Sequence, residues 1–454
     1  MTTDRASARE VIALVADEFD ELPHDEKDFT RDGPLAWPGY DDSRARAARR
    51  TGESESVVCG VGRVEGARAV LIAFEFGFLG GSLGERTGDR LEAAYAYARE
   101  HRLPVVPLVA TGGSRMQEGM LALTQLQRVA RQSALTREAG LAQIAVLRDP
   151  TTGGGWATLG AGADVVLALP GAQVGFAGSR VRPPDADPAA YTAEAQVAAG
   201  SADAVVRPQE LRETLGRWLR LLTGVSTDPA PVPEALGATD LPASGWDAVR
   251  RARSPRRPRA ARYLDAYFTD RLAISGDRCG GADPAGMLCG FGAHQGRTVA
   301  YAAQTGAATR PAGYRTAARL IRLADRLGIP VLTLVDTPGA ANDAEAERQG
   351  AGAAIAELFG VVATARTPLT TLVIGEGGSG GALALAAPGR TWATPDSYFS
   401  VIAPELAAAI LKRPEAEAEL TADQLRIRPQ DLTELGVIRP TRPHITRDNP
   451  EHRP

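Results

Sequence analysis

The sequence predicts an α/β protein made of two copies of one domain in tandem. Three observations carry this. At 454 residues the chain exceeds one ordinary core and suits two domains of about 200 residues. Short apolar strands alternate with helical stretches, the signature of βαβ units and mostly parallel sheets. The pattern of the first half then recurs in the second.

The repeat can be followed element by element. Asp89 to Glu100 has helical periodicity and leads into the strand Pro104 to Val109; Tyr314 to Leu327 leads into Pro330 to Val335, and the two prolines are 226 residues apart. Each strand ends in a glycine-bearing turn, Thr111-Gly-Gly-Ser-Arg115 and Asp336-Thr-Pro-Gly-Ala340. A second helix and a second apolar strand follow in each half, Gln143 to Leu147 and Leu369 to Ile374. These strands end in Thr152-Gly-Gly-Gly155 and Glu376-Gly-Gly-Ser-Gly-Gly-Ala382, again about 226 residues apart.

Between the copies, Val225 to Arg259 breaks both periods. It holds Pro229, Pro231, Pro233, Pro242, Pro255 and Pro258 and the basic run Arg250-Arg-Ala-Arg-Ser-Pro-Arg-Arg257. That composition reads as an extended, solvated linker. The expected division is 1–224, a linker over 225–259, and 260–454.

Composition narrows the function classes. A formal charge of -4 argues against a broad nucleic-acid footprint. Cys59, Cys279 and Cys289 include no C-x-x-C pair, so neither a zinc ribbon nor a disulfide framework is expected, and no metal is assigned. The N-terminus lacks the apolar run of a signal peptide, and no stretch approaches a membrane span of about 20 apolar residues. A cytoplasmic protein is expected.

Three or four glycines delivered by a strand to a helix start suit chemistry at a thioester carbonyl. Removing a proton beside a thioester puts charge on the carbonyl oxygen. Two backbone N–H groups about 3 Å from that oxygen stabilise it. A helix N-terminus supplies such groups and a favourable dipole, and glycine lets the backbone come close. The competing reading is a tight helix–sheet junction in which glycine only permits packing. Neither a G-x-x-x-x-G-K-[ST] loop nor a well-placed G-x-G-x-x-G is present, which removes the usual phosphate loops.

With these residues in view, the chain resembles the two carboxyltransferase subunits of bacterial acetyl-CoA carboxylase in tandem, β-type first and α-type second. The β-like half shows Pro38-Gly-Tyr-Asp-Asp42, Phe76-Gly-Phe-Leu-Gly-Gly-Ser-Leu-Gly84, Gly112-Gly-Ser-Arg-Met-Gln-Glu-Gly119, Asp149-Pro-Thr-Thr-Gly-Gly154 and Gly175-Phe-Ala-Gly178. The α-like half shows Phe268-Thr-Asp270, Gly276-Asp-Arg278, Asp336-Thr-Pro-Gly-Ala340 and Ile374-Gly-Glu-Gly-Gly-Ser-Gly-Gly-Ala-Leu-Ala384. The resemblance implies two crotonase-type ββα-spiral domains and transfer of a carboxyl group from carboxybiotin to the α-carbon of a short acyl-CoA. It implies that N–H groups around Gly153 and Gly154 hold the thioester oxygen, and that those around Gly380, Gly381 and Ala382 hold the biotin ureido oxygen. The same likeness places Gly112, Gly113, Arg115, Phe176, Gly178 and Gly339 at the substrate. Arg115 reads as a contact to CoA or to the opposing domain, or as plain surface. Glu118 reads as first-turn helix stabilisation, and Asp336 and Glu376 as helix caps.

No side-chain base is needed if a ureido nitrogen takes the proton, and none of His24, His101, His294, His444 and His452 falls in a glycine cluster. Lys27 and Lys412 lack the methionine-flanked setting of a biotinyl lysine. Carboxybiotin is therefore expected on a separate carrier protein, supplied by a separate biotin carboxylase. The resemblance also implies a homodimer, or a hexamer built from dimers, with each site formed between the β-type half of one protomer and the α-type half of another. The chain departs from the family in lacking the zinc ribbon and in the loops Gln304 to Arg310, Ala340 to Ala344 and Gly178 to Pro184. A decarboxylase of a malonyl-type thioester and a non-catalytic scaffold of a carboxylase complex are the competing functions.

Overall fold

The computed structural model describes residues 5–24, 28–224 and 226–440. Lys27, Val225, His444 and His452 lie outside them. The first half is an eight-stranded sheet of β1 (Glu18–Glu21), β2 (Val57–Val64), β3 (Ala67–Phe74), β4 (Val105–Thr111), β5 (Ile144–Thr152), β6 (Val165–Ala168), β7 (Val174–Gly175) and β8 (Ala204–Val205). Its order is β1-β2-β3-β4-β5-β6-β8, with β7 pairing the end of β5. The second half is a seven-stranded sheet of β9 (Asp270–Ile274), β10 (Met287–His294), β11 (Arg297–Gln304), β12 (Val331–Thr337), β13 (Leu369–Gly378), β14 (Thr391–Ala393) and β15 (Tyr398–Ser400). Its order is β14-β13-β12-β11-β10-β9, with β15 pairing the end of β13.

Each half opens on an antiparallel hairpin, β2–β3 and β10–β11, closed by two residues. Those residues are Glu65-Gly66 and Gln295-Gly296, all four at positive φ, the geometry that two-residue hairpins demand. From β3 and β11 onward the pairing is parallel, with helices as crossovers. Every residue of β4 and of β12 is buried, which is why both read as unbroken apolar runs. The crossover helices Glu85–Glu100 and Pro311–Leu327 begin a few residues earlier than periodicity alone predicts. Pro311 stands in the first turn, where its missing N–H costs nothing.

The two halves share one core. Trp218, on helix Leu211–Thr223 of the first half, meets Phe291 of β10 edge to face at 6.3 Å, inside a buried cluster that includes residues of both halves. Gly200 and Gly276 touch backbone to backbone: a Cβ on Gly276 would lie 2.0 Å from the Gly200 Cα. Ion pairs cross the same seam, Arg319 to Asp203 at 3.0 Å and Arg326 to Asp164 at 2.5 Å, with Arg278 also on Asp203. Burial alone would lift the Asp203 carboxyl, but Arg278 and Arg319 with the N–H groups of Val166 and Ser275 hold it below its ordinary range.

The segment expected to be a solvated linker is instead packed. Ala230 is buried among Tyr263, Leu264 and Tyr301. Ser244 caps a helix, Gly245–Arg253, whose Ala248, Val249 and Ala252 pack against Tyr398, Ala422 and Ile427. Half of the basic run thus lies on an amphipathic helix; Arg253 and Arg257 reach carboxylates of the second half, Arg251 pairs with Asp240 and Asp247 within the segment, and Arg250 and Arg256 are exposed.

Candidate functional site

The glycine turns form two matched constructions at the carboxyl ends of the strands, where open α/β sheets bind ligands. In the first, the turn after β4 meets the start of the helical turn after β5. The Thr111 hydroxyl accepts the Gly113 N–H at 3.0 Å, the Gly113 carbonyl accepts the Leu83 N–H at 2.9 Å, and the Leu83 carbonyl accepts the Arg115 N–H at 2.8 Å. In the second, the Thr337 hydroxyl accepts the Gly339 N–H at 3.2 Å. The Gly339 carbonyl accepts the Thr309 N–H at 3.3 Å, and the Thr309 carbonyl accepts the Ala341 N–H at 2.9 Å. Every partner in the first set maps onto the second by adding 226, so the duplication extends to individual hydrogen bonds.

The helix starts correspond as well. Gly153 sits at φ +63° and its counterpart Ser379 at φ +56°. Close approach explains the glycines. A Cβ on Gly153 would lie 3.2 Å from the Gly113 Cα, and one on Gly381 would lie 2.5 Å from the Ala340 nitrogen. A Cβ on Gly378 would fall 2.0 Å from the Pro338 carbonyl oxygen, and one on Gly154 would strike the Leu126 side chain. The Gly381 carbonyl is fixed by Gln304 Nε2 and by the Tyr314 hydroxyl, each donating at 3.1 Å from the buried interior.

The donors can now be sorted. Gly153 gives its N–H to the Phe176 carbonyl at 3.1 Å, so its expected role as an oxygen-holding donor is corrected: it shapes the turn and ties β5 to the loop after β7. The bonds above do not engage the N–H groups of Ser114 and Gly154, or of Ala340 and Gly380. Gly154 and Gly380 stand in first helical turns, where no intrahelical acceptor exists. Both constructions reach the surface. Gly112 is exposed and Gly153 half-buried; Gly339, Ala340 and Gly380 are half-buried, while Gly154, Gly381 and Ala382 lie deeper. A Cβ on Gly380 would meet open space. Each half thus gathers, at one strand end, two amide N–H groups that these bonds leave unengaged.

Phe176 is 75% exposed and Gly178 half-buried beside Thr152, at the rim of the first turn. Arg115 is neither a substrate contact nor surface. Its side chain is fully buried and donates to Glu55 Oε2 at 3.0 Å, to Glu118 Oε1 at 3.3 Å and to the Ser82 carbonyl at 2.8 Å. Burial alone would lift the Glu55 carboxyl, but Arg115 overrides it and holds the acid well below the usual range. Glu118 does stabilise a helix start, though its neighbour's: it accepts the Glu85 N–H and the Tyr40 hydroxyl, both at 2.5 Å. Glu55 lies outside every motif that the sequence offered, while Tyr40 stands in Pro38 to Asp42 without a role read for it.

Asp336 and Glu376 are not helix caps. Asp336 is fully buried and takes Arg257 at 2.5 Å and Arg259 at 3.3 Å, while Glu376 takes Arg253 at 2.9 Å and the Tyr398 hydroxyl at 2.8 Å. None of the described histidines falls in either turn; His294 ends β10, stacked on Tyr267 at 3.8 Å. Among the described residues no group of three or more His, Cys, Asp and Glu could hold a metal ion, and no helix is long and apolar enough to cross a membrane.

Comparison with known proteins gives matches over most of the chain. The family described as "Carboxyl transferase domain" matches residues 34–201, and that described as "Acetyl co-enzyme A carboxylase carboxyltransferase-like" matches residues 242–441. The chain is 40% identical to "Acetyl-coenzyme A carboxylase carboxyl transferase subunits beta/alpha" of Saccharopolyspora erythraea, over 92% of this chain and 76% of that protein. It is 36% identical to "Probable biotin-dependent acyl-coenzyme A carboxylase beta3 subunit" of Mycobacterium bovis, over 89% of this chain and 84% of that protein. Among solved structures, transcarboxylase 12S, described as a hexamer with hydrolysed methylmalonyl-coenzyme A bound, superposes with TM-score 0.77 at 21% identity over 96% of this chain and 86% of that one. A single-chain, multi-domain long-chain acyl-CoA carboxylase superposes with TM-score 0.72 at 20% identity, over 95% of this chain and 45% of that one. These neighbours share the crotonase-type fold in two domains.

Proposed function

The chain belongs to the carboxyltransferase family of biotin-dependent acyl-CoA carboxylases, and on that premise we propose that it carboxylates the α-carbon of a short acyl-CoA, giving malonyl-CoA or a substituted malonyl-CoA. The observation that carries this is the pair of amide pockets repeated at a constant spacing of 226 residues. One pocket suffices to steady one enolate oxygen; two suit a reaction in which two carbonyl-type oxygens gain charge.

We assign the first pocket, Gly154 with the turn Gly112 to Ser114, to the thioester oxygen. The second, Gly380 with the turn Gly339 to Ala341, we assign to the biotin ureido oxygen. The second pocket fits a flat ureido group because Gly380 has open space in front of it and no Cβ intervenes. Carboxylated biotin on a separate carrier protein supplies the carboxyl group and, once that is released, a ureido nitrogen able to take the α-proton. The chain's part is to hold both oxygens with preorganised N–H groups, which act most strongly where water is excluded.

Assembly follows from the same reading. Met116, Met120 and Phe176 flank the first turn, and Val401, Leu406 and Ile410 lie on the second half; all six are exposed. A two-fold dimer that sets the first half of one protomer on the second half of its partner covers both patches and creates two identical sites. Partners of the working enzyme are then a biotin carboxyl carrier protein and a biotin carboxylase, in the cytoplasm.

The test is a panel of acyl-CoAs assayed for fixation of labelled bicarbonate, with and without biotinylated carrier and carboxylase. Carboxylated product is expected only when both are present. Release of CO2 from malonyl-CoA by the chain alone would instead establish a decarboxylase.

A further inference from the structure

The reaction above leaves the basic segment between the two halves unused, yet three of its arginines, Arg253, Arg257 and Arg259, converge on the strand ends that carry the second pocket. Arg257 lies with its guanidinium against Asp336, the buried residue that opens the turn Asp336 to Ala340. It also donates to the Ile374 carbonyl of β13 at 3.2 Å. Asp336 Oδ1 in turn accepts the Glu376 N–H at 3.2 Å, and the Asp336 carbonyl accepts the Gly306 N–H at 2.7 Å. Arg253 holds Glu376 from outside at 2.9 Å and Glu405 at 2.5 Å. Arg259 adds a second contact to Asp336 at 3.3 Å.

Two glycines record how tightly this clamp is built. A Cβ on Gly375 would lie 2.2 Å from Arg257 Nη2 and 2.3 Å from Asp336 Oδ1. One on Gly306 would lie 2.3 Å from Arg259 Nη1. The backbone has been kept bare where the guanidinium groups pass. The first half carries its buried cation, Arg115, inside its own turn; the second has Ala341 at the equivalent position, and takes its cations from the connecting segment.

We propose that Arg257, supported by Arg253, is a positioning residue: it locks the end of β12 to the end of β13 so that the N–H groups of Ala340 and Gly380 keep the mutual distance a charged oxygen requires. The connecting segment is thus a working part of the second pocket. Both arginines act through Asp336, Glu376 and the strand ends, so their removal affects turnover rather than acyl-CoA binding. A displacement of about 1 Å in such a pocket reduces rate by about 10²-fold.

This inference rests on the carboxyl-transfer reading, so its test carries a readout of each. Arg257→Lys keeps a positive charge on Asp336 and loses the fork that reaches Ile374; Arg253→Gln is the milder companion. Each is assayed for transfer from biotinylated carrier, and amide hydrogen exchange is followed by mass spectrometry across the whole chain. The expected result for Arg257→Lys is a kcat lower by about 10- to 100-fold with acyl-CoA KM within about twofold. Faster exchange is expected only in peptides covering 336–341 and 374–384. Unchanged kcat and exchange would overturn the proposal, as would faster exchange spread over 287–304 and the rest of the second sheet, which marks a general scaffold. No transfer activity in the wild-type chain, together with the localised exchange change in Arg257→Lys, would refute the function and leave the clamp standing.

Discussion

Cys59 and Cys289 show what burial does at single residues. Both lie in strands of the core hairpins, and desolvation pushes both thiols up to about 12, while Cys279 is exposed. At pH 8 the native protein should take one alkyl group per chain from iodoacetamide, and three after denaturation, as counted by intact mass. Two or more in the folded state would mean that a hairpin opens. The spacing of the cysteines spoke only against a zinc ribbon and a disulfide framework, and did not reveal which of them are buried. Arg115 was no more legible, because a motif reveals which residue stands in a turn and not which way its side chain lies. Its partner Glu55 is 60 residues away in sequence, and nothing local marks the pair. Gly153 teaches the complement: the cluster was visible as three consecutive glycines, but only the loop carrying Phe176 shows which of them has spent its N–H.

At the level of elements, the sequence announced the parallel strands, the turns and the repeat, since burial on both faces writes continuous apolar runs and close backbone contact writes glycine. The hairpin turns Glu65-Gly66 and Gln295-Gly296 went unread because only one residue of each is a turn former. The connecting segment was misread for a physical reason. Proline and arginine count as solvated by composition, yet Arg257 finds its aspartate 79 residues away, and the helix Gly245–Arg253 hides a narrow alanine and valine stripe among arginines. The seam between the halves was equally invisible, resting on Gly200 and Gly276 in left-handed conformations at +70° and +73°. Gly276→Ala should therefore lose about 2 kcal/mol or more, since both φ and the 2.0 Å approach forbid a Cβ. Urea denaturation checks this, and a midpoint equal to wild type would show that the seam is looser than described.

For the whole molecule, the shared core, the backbone contact and the salt links make the halves one body, and the apolar patches on each half are exposed among the described residues. A two-fold dimer predicts a mass of about twice 47.6 kDa or a multiple of that by light scattering at micromolar concentration. Replacing Met120 and Ile410 by glutamate, both on exposed helix faces, should yield monomers that remain folded and no longer transfer carboxyl groups. Monomers as active as wild type would show that each site is complete within one chain.

The paired pockets are tested most directly by Gly154→Val and Gly381→Val, each folded as judged by its circular dichroism and assayed for transfer from biotinylated carrier to acyl-CoA. A Cβ at either position strikes a neighbour within 2.3 to 2.5 Å. Each change should lower kcat by about 10²–10³-fold, the loss expected when one oxygen-holding donor is displaced. Transfer at the wild-type rate in either folded variant would show that the pocket it distorts holds no oxygen in the reaction.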